Sequence, residues 1–170
     1  TAVVGAGVMG SKHLRALEKI RGANLVAVVD PMLPAGTHPG SVARHSNILD
    51  LQPLGVEAAI VATPTKTHEQ VCLQLLEIGI SVLVEKPLAL NSQESRRLSM
   101  AARNSKVVAG VGHIERYNPA VMRLTEIIRA GTFGPPLQIS TFRGGPYSGR
   151  ITDVGVAMDL CTHDIDITLS

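Results

Sequence analysis

Tryptophan is absent from this 170-residue chain, and all aromatic residues together make up 2% of it. A nucleic-acid reader that stacks bases needs aromatic platforms, so that class is excluded. The formal net charge is only +2, with no basic block, which also argues against an anionic polymer or membrane surface as partner. No apolar run approaches the roughly 18–20 residues of a membrane span, and none resembles a cleavable signal. There are two cysteines, Cys72 and Cys161, far apart and without a CxxC pair, which reads as two reduced thiols in a cytoplasmic protein. Internal repeats and low-complexity tracts are also missing. The chain opens inside a strand with Thr1 rather than Met, which predicts further residues ahead of it.

Hydrophobic residues make up 45% of the chain and charged residues 18%, the balance of a soluble globular protein with one good core, or a core plus a fragment. Short β-branched runs alternate with helical patterns. "TAVVGAG" leads into "VMGSKHLRALEKI", where Leu14, Leu17 and Ile20 share a face. "NLVAVVD" follows, then "EAAIVATP" with "THEQVCLQLLEIG", "SVLVEKP" with "SQESRRLSMAARN", and "KVVAGVGH". Strands apolar on both faces and separated by helices predict a doubly wound α/β domain with a parallel sheet covered on both sides. In Pro31–Gly40, three prolines and two glycines occupy the place of a crossover helix. A loop is expected there, before a short third strand near "SVARHS".

After His113 the texture changes. "ERYNPAVMRLTEIIRAG" predicts a helix, "GTFGPP" a turn-rich link, "LQISTFR" a strand and "DVGVAMDLCTHDIDITLS" a final helix. The expected division is residues 1–113 as one domain and 114–170 as the beginning of a second, truncated one.

The first motif is "GAGVMG", with Gly5, Gly7 and Gly10 in G-x-G-x-x-G spacing. It follows a strand and opens a helix, and Asp30 ends the next strand. Gly5 permits the tight turn, Gly7 lets backbone approach a pyrophosphate, and Gly10 allows close packing of helix on sheet. The free N–H groups of the first turn, at Val8 and Met9, would hold the anion. Asp30 would accept hydrogen bonds from the adenosine ribose, favouring NAD over NADP, whose 2′-phosphate would meet like charge. In "ATPTKTH", Thr63, Pro64 and Thr65 would line the far side of the cofactor, with His68 closing the motif. The plainer alternative is an N-cap at Thr65 or Thr67.

The second motif is "SVLVEKPLAL": a buried strand runs into Glu85 and Lys86, and Pro87 restricts the backbone before it or forms a cis bond. A charged pair is costly within a core and belongs at the strand's exit. Its alternatives are a working lysine or a surface ion pair between Lys86 and Glu85. Asp159 and His163 are four apart, hence on one face of a helix, where a carboxylate orients an imidazole suited to proton removal. A helix-surface pair or half of a metal site are the alternatives, and a complete ligand set is not evident even with Asp166 nearby. His113 ends the sixth strand, as a substrate contact or a hinge residue. Arg116, Tyr117 and Asn118 would bind a sugar or cap the helix that follows. His13, His38 and His45 read as structural or exposed.

The glycine loop, "TPTKTH", "EKPLAL" and "MDLCTHDID", in that order, resemble the glucose–fructose oxidoreductase / inositol dehydrogenase / MocA (Gfo/Idh/MocA) family over essentially the whole chain. "GHIERYNPAV" and "DVGVAMDLCTHDID" look most like its nucleotide-sugar branch. The resemblance implies a Rossmann domain followed by an α/β domain with an open antiparallel sheet that carries the substrate and usually the oligomer contact. It implies NAD, a small sugar or nucleotide-sugar substrate and no metal. Lys86, Asp159 and His163 would surround the reacting carbinol, with Glu85 and Lys86 also on the cofactor side. Three features depart from the family: the abbreviated segment after Asp30, the single Gly155 where a glycine run is common, and the small share of the second domain. The expected function is an NAD-dependent oxidoreductase moving hydride from a secondary alcohol of a sugar. The alternative is a non-catalytic dinucleotide-binding sensor or co-regulator on the same fold.

Overall fold

The computed structural model describes residues 1–32, 36–37, 42–144, 155 and 157–170. It divides into two compact units, Thr1–Gly112 and His113–Ser170.

The first unit is a seven-stranded sheet: β1 (Ala2–Val4), β2 (Ala27–Val29), β3 (Gly36–Thr37), β4 (Ala43–His45), β5 (Ala58–Val61), β6 (Ser81–Val84) and β7 (Ala109–Val111), in the order β3-β4-β2-β1-β5-β6-β7. All pairings are parallel except β3 on β4. Helices α1 (Val8–Leu17), α2 (His68–Glu77) and α3 (Ser92–Asn104) alternate with the strands, and a 3₁₀ helix, Ile48–Leu54, fills the connection from β4 to β5. This is the doubly wound fold expected from the alternation. Valines and alanines of β1 and β2 are buried on both faces, which suits β-branched side chains covered by helices on either side. Leu51, Leu75 and Leu98 carry the core outward to the surrounding helices.

Two expectations fail here for local reasons. Part of the Pro31–Gly40 segment pairs as strand β3 rather than remaining loop, while residues 33–35 and 38–41, including His38, lie outside the described residues. Helix α1 stops at Leu17, so Ile20 is 55% exposed and does not continue the face of Leu17. The chain there turns through short-range bonds, Lys19 N–H to the Ala16 carbonyl and Ile20 N–H to that of Leu17, ahead of Gly22 at φ +89°. By contrast α3 begins with a capping exchange. Asn91 Oδ1 accepts from the Glu94 N–H, and Glu94 accepts from Asn91 Nδ2 and the Leu90 N–H.

The second unit holds a 3₁₀ turn (Ile114–Tyr117), α4 (Pro119–Arg129), a π-helical turn (Ala157–Cys161) and α5 (Thr162–Leu169). The expected strand over Leu137–Arg143 does not form, and Leu137 and Phe142 are each 98% exposed. A strand needs a neighbour for its backbone groups, and none of the described residues offers that segment one. Residues 153, 154 and 156 of the expected last helix lie outside the described residues. Among the described residues no helix is long and apolar enough to cross a membrane.

Candidate functional site

The strand order reverses beside β1: the chain winds through β2 to β4 on one side, then returns through β5 on the other. Ligands of open α/β sheets bind outside the carboxyl ends of the strands at such a point. A row of backbone bonds crosses that edge. Asp30 N–H donates to His45, Gly5 to Val29, Ala62 to Val4, Glu85 to Val61 and Gly112 to Val84, all at 2.7–2.9 Å. The register therefore sets the glycine loop, Asp30, the "TPT" turn and Glu85 along one line.

At the crossing itself, Gly5 has φ +91°, and a Cβ there would lie 2.7 Å from the Ala62 carbonyl oxygen, so no other residue fits. A Cβ on Gly10 would meet the Gly5 carbonyl oxygen at 1.8 Å, which is how α1 comes down onto the loop. At Gly7, the N-cap, a Cβ would meet nothing within 4 Å, and its backbone is extended. The glycine keeps open a space above the start of a ten-residue helix with no acid in its first turn. Val8 is 59% exposed and Met9 half-buried there. Space beside free N–H groups at a positive helix end fits a pyrophosphate. Asp30 is tied to the backbone through both carboxylate oxygens. Its Oδ2 accepts from the Ala6 N–H at 2.8 Å and its Oδ1 from the Met32 N–H at 2.9 Å, so it braces the loop. An ionised carboxylate retains lone pairs for a further donor.

The "TPTKTH" segment forms a 3₁₀ turn, Thr65–Thr67, that runs into α2. No side chain caps either helix. The Thr67 hydroxyl is within 2.9 Å of Thr63 Oγ1 and donates to the Pro64 carbonyl at 2.7 Å, while Thr65 is buried. His68 is 1% exposed, with Nδ1 3.0 Å from the Pro87 carbonyl oxygen and Nε2 2.9 Å from that of Thr63. At the exit of β6, Lys86 is half-buried and the Lys86–Pro87 bond is cis. Glu85 is buried, and its Oε1 accepts from His13 Nε2 at 2.6 Å. Glu85 thus turns its carboxylate inward, onto α1.

In the second unit the substrate candidates divide. Asn118 is a helix cap: its Oδ1 accepts from the Ala120 N–H at 3.1 Å. Arg116 makes a two-bond fork to Asp166, at 2.6 and 2.7 Å. Asp166 is buried, and Arg116 holds its carboxyl below the ordinary value. His113 Nδ1 lies 3.8 Å from the same carboxylate, and Tyr117 is 78% exposed. His163 is buried on the first turn of α5, and Asp159 is half-buried on the π-helical turn before it. Their spacing thus crosses a π-turn rather than a regular helix, and such turns are frequent at functional sites. Arg143 donates to Asp164 at 3.0 Å and to Glu115 at 3.5 Å, and the Asn118 and Arg143 hydrogen bonds and nearby His163 lower Glu115's pKa. Among the described residues no three His, Cys, Asp or Glu side chains gather as a metal site. Burial pushes the Cys72 thiol up to about 12, which leaves it unreactive.

The oxidoreductase family with an NAD-binding Rossmann fold matches residues 1–113. The chain belongs to the Gfo/Idh/MocA family. It is 31% identical over 171 residues to UDP-N-acetylglucosamine 3-dehydrogenase of Acidithiobacillus ferrooxidans, covering 99% of this chain and 53% of that protein. It is 33% identical over 179 residues to scyllo-inositol 2-dehydrogenase (NAD(+)) of Bacillus subtilis strain 168, covering 98% and 52%. The WlbA dehydrogenase of Chromobacterium violaceum, solved with NADH and UDP-GlcNAcA, superposes on it with a TM-score of 0.68 at 24% identity, over 78% of this chain and 40% of that one. The chain spans about half the length of the curated relatives it matches. The family is NAD-binding, and Gly5, Gly7, Gly10 and Asp30 have the geometry of a dinucleotide cradle.

His13, which the sequence reads as structural or exposed, is part-buried and holds the Glu85 carboxylate. Its signal is the position three residues past Gly10 on α1, in the same carboxyl-edge layer as the β6 exit.

Proposed function

We propose that this chain forms the cofactor half and the first part of the substrate half of an NAD-dependent dehydrogenase that oxidises a secondary alcohol of a sugar or cyclitol. A nucleotide sugar is the favoured substrate, and residues 114–170 begin the domain that binds it. The observation carrying the reading is the glycine cradle at the switch point of a family member that also keeps Lys86, Asp159 and His163. Those three side chains favour an enzyme over a non-catalytic dinucleotide sensor, which has no need of them. The relatives include inositol dehydrogenases as well as a nucleotide-sugar enzyme, so the choice of nucleotide sugar rests on the "GHIERYNPAV" and "DVGVAMDLCTHDID" segments.

NAD, when bound, supplies the hydride acceptor. The first turn of α1 and Gly7 hold its pyrophosphate, and Asp30 faces the ribose while bracing the loop. His163 takes the hydroxyl proton, steadied by Asp159, and Lys86 stabilises the negative charge that develops on the same oxygen. Steady-state kinetics of the complete enzyme test these roles. Lys86→Met should lower kcat by on the order of 100-fold, the loss typical of a removed donor to a developing oxyanion. His163→Asn should remove most of kcat and its rise with pH, with NADH affinity nearly intact. Normal turnover in Lys86→Met contradicts the reading. A panel of UDP-sugars and inositols, followed at 340 nm, decides the substrate class.

A further inference from the structure

Lys86 sits between two residues that are each held by an imidazole from a different element. On one side, the buried carboxylate of Glu85 accepts from His13 Nε2 at 2.6 Å. His13 is on α1, whose first turn makes the phosphate site. On the other side, the Pro87 carbonyl is 3.0 Å from Nδ1 of His68, and the opposite nitrogen of that ring reaches the Thr63 carbonyl at 2.9 Å. His68 opens α2 and is 1% exposed. Carbonyl oxygens only accept, so a neutral ring serves one at a time, while a doubly protonated ring serves both. Neither ring is needed to complete the sheet ladder, which already holds the Glu85 N–H on the Val61 carbonyl. What the two rings add is a fixed backbone before and after a long, rotamer-rich side chain.

The geometry points to His13 and His68 as positioning residues for Lys86, one acting through the Glu85 carboxylate and the other through the Pro87 carbonyl. The inference rests on the reading of Lys86 as the oxyanion donor. A lysine whose backbone is fixed on both sides meets the reacting oxygen in one geometry, and loss of either hold shifts that backbone. Displacement of about 1 Å costs up to about 100-fold in rate. Because the same rings tie α1, the "TPT" turn and the β6 exit together, the three cofactor-contacting segments keep one spacing.

Conservative replacements separate positioning from bulk. The amide nitrogen of Asn stands at the depth of Nδ1, and that of Gln at the depth of Nε2. His68→Asn therefore keeps a donor for Pro87, and His68→Gln keeps one for Thr63. In the complete enzyme, His68→Gln should lower kcat about 10-fold or more, and His68→Asn should stay within about 3-fold of the native protein. His13→Ala should lose a similar factor, and His13→Gln, with its donor at the Nε2 position, should recover most of it. His13 is part-exposed, so its variants report even where changes at buried His68 impair folding. Each loss should vanish when combined with Lys86→Met, because a residue acting through Lys86 has nothing left to position. Unchanged kcat in His68→Gln and His13→Ala, or losses that multiply with that of Lys86→Met, overturn the inference. A low kcat in Lys86→Met beside normal histidine variants fails the positioning role alone. A normal kcat in Lys86→Met fails the parent reading and the positioning role together.

Discussion

The two units of this chain are held by different forces. Every buried hydrophobic residue among those described lies between Ala2 and Leu98, inside the first unit. In the second unit the buried residues among those described are His163 and Asp166, and the large apolar side chains Met122, Leu124, Phe133, Leu137 and Phe142 are exposed. Helix α4 has no fully buried residue, and only Val121, Thr125 and Ile127 are half-buried. Ion pairs link its segments instead: Arg116 on Asp166, and Arg143 across Asp164 and Glu115. Apolar burial is non-directional and scales with area, whereas a partly exposed ion pair contributes little and is screened. The first unit therefore has the means to hold a cofactor site rigidly. The second carries the proposed Asp159 and His163 on a scaffold with exposed apolar surface.

The largest effect expected from this contrast is in the cores. Leu75→Ala should cost about 2–5 kcal/mol of unfolding free energy, since Leu75 is fully buried and its loss leaves a cavity. Leu124→Ala, at 52% exposure, should change stability by no more than about 0.5 kcal/mol. Denaturant unfolding of both variants checks the difference, and equal losses would erase the distinction between the units.

A smaller effect is expected with acid. Hydrogen bonding to Arg116 depresses the Asp166 carboxyl, and hydrogen bonding to Asn118 followed by Arg143 depresses that of Glu115. For a depressed carboxyl the stabilisation is fully present above its ordinary pKa of about 4 and disappears as pH falls through the lower folded value. Hydrogen-exchange protection of α5 should thus drop below about pH 4, while protection of β1 and β5 persists. Arg116→Ala should remove much of that pH dependence. Parallel loss in both units would mean that charge holds the first as well.

The fold of the first unit was legible because its strands are short β-branched runs punctuated by Gly and Pro, and a parallel sheet leaves little choice of arrangement. The motifs at its carboxyl edge were legible for the same reason: Gly5, Gly10 and Asp30 answer to backbone geometry, which spacing records. Side-chain pairings between distant segments were not. The His13–Glu85 bond spans 72 positions, and nothing local marks an imidazole on α1 as the partner of a carboxylate after β6. Segment Leu137–Arg143 misled because its alternating pattern describes a strand's side chains but not whether a neighbour exists to pair with. Asn118 was open between sugar contact and cap until the Ala120 N–H was seen on its side chain.

The central claim is that the first unit is a preformed NAD site whose cradle is kept open by Gly7. It is tested most directly by titrating NADH into the protein, native and Gly7→Val, with nicotinamide fluorescence as the readout. A Cβ at Gly7 meets no protein atom within 4 Å, so the fold has room for the substitution, and the melting temperature should fall by no more than a poorer N-cap costs. Its side chain would occupy the pyrophosphate's place, and NADH affinity should fall about tenfold or more. Saturable binding by the native chain, with that loss in the variant, is the predicted result; equal affinity in the two proteins, or no saturable binding by the native one, would contradict it.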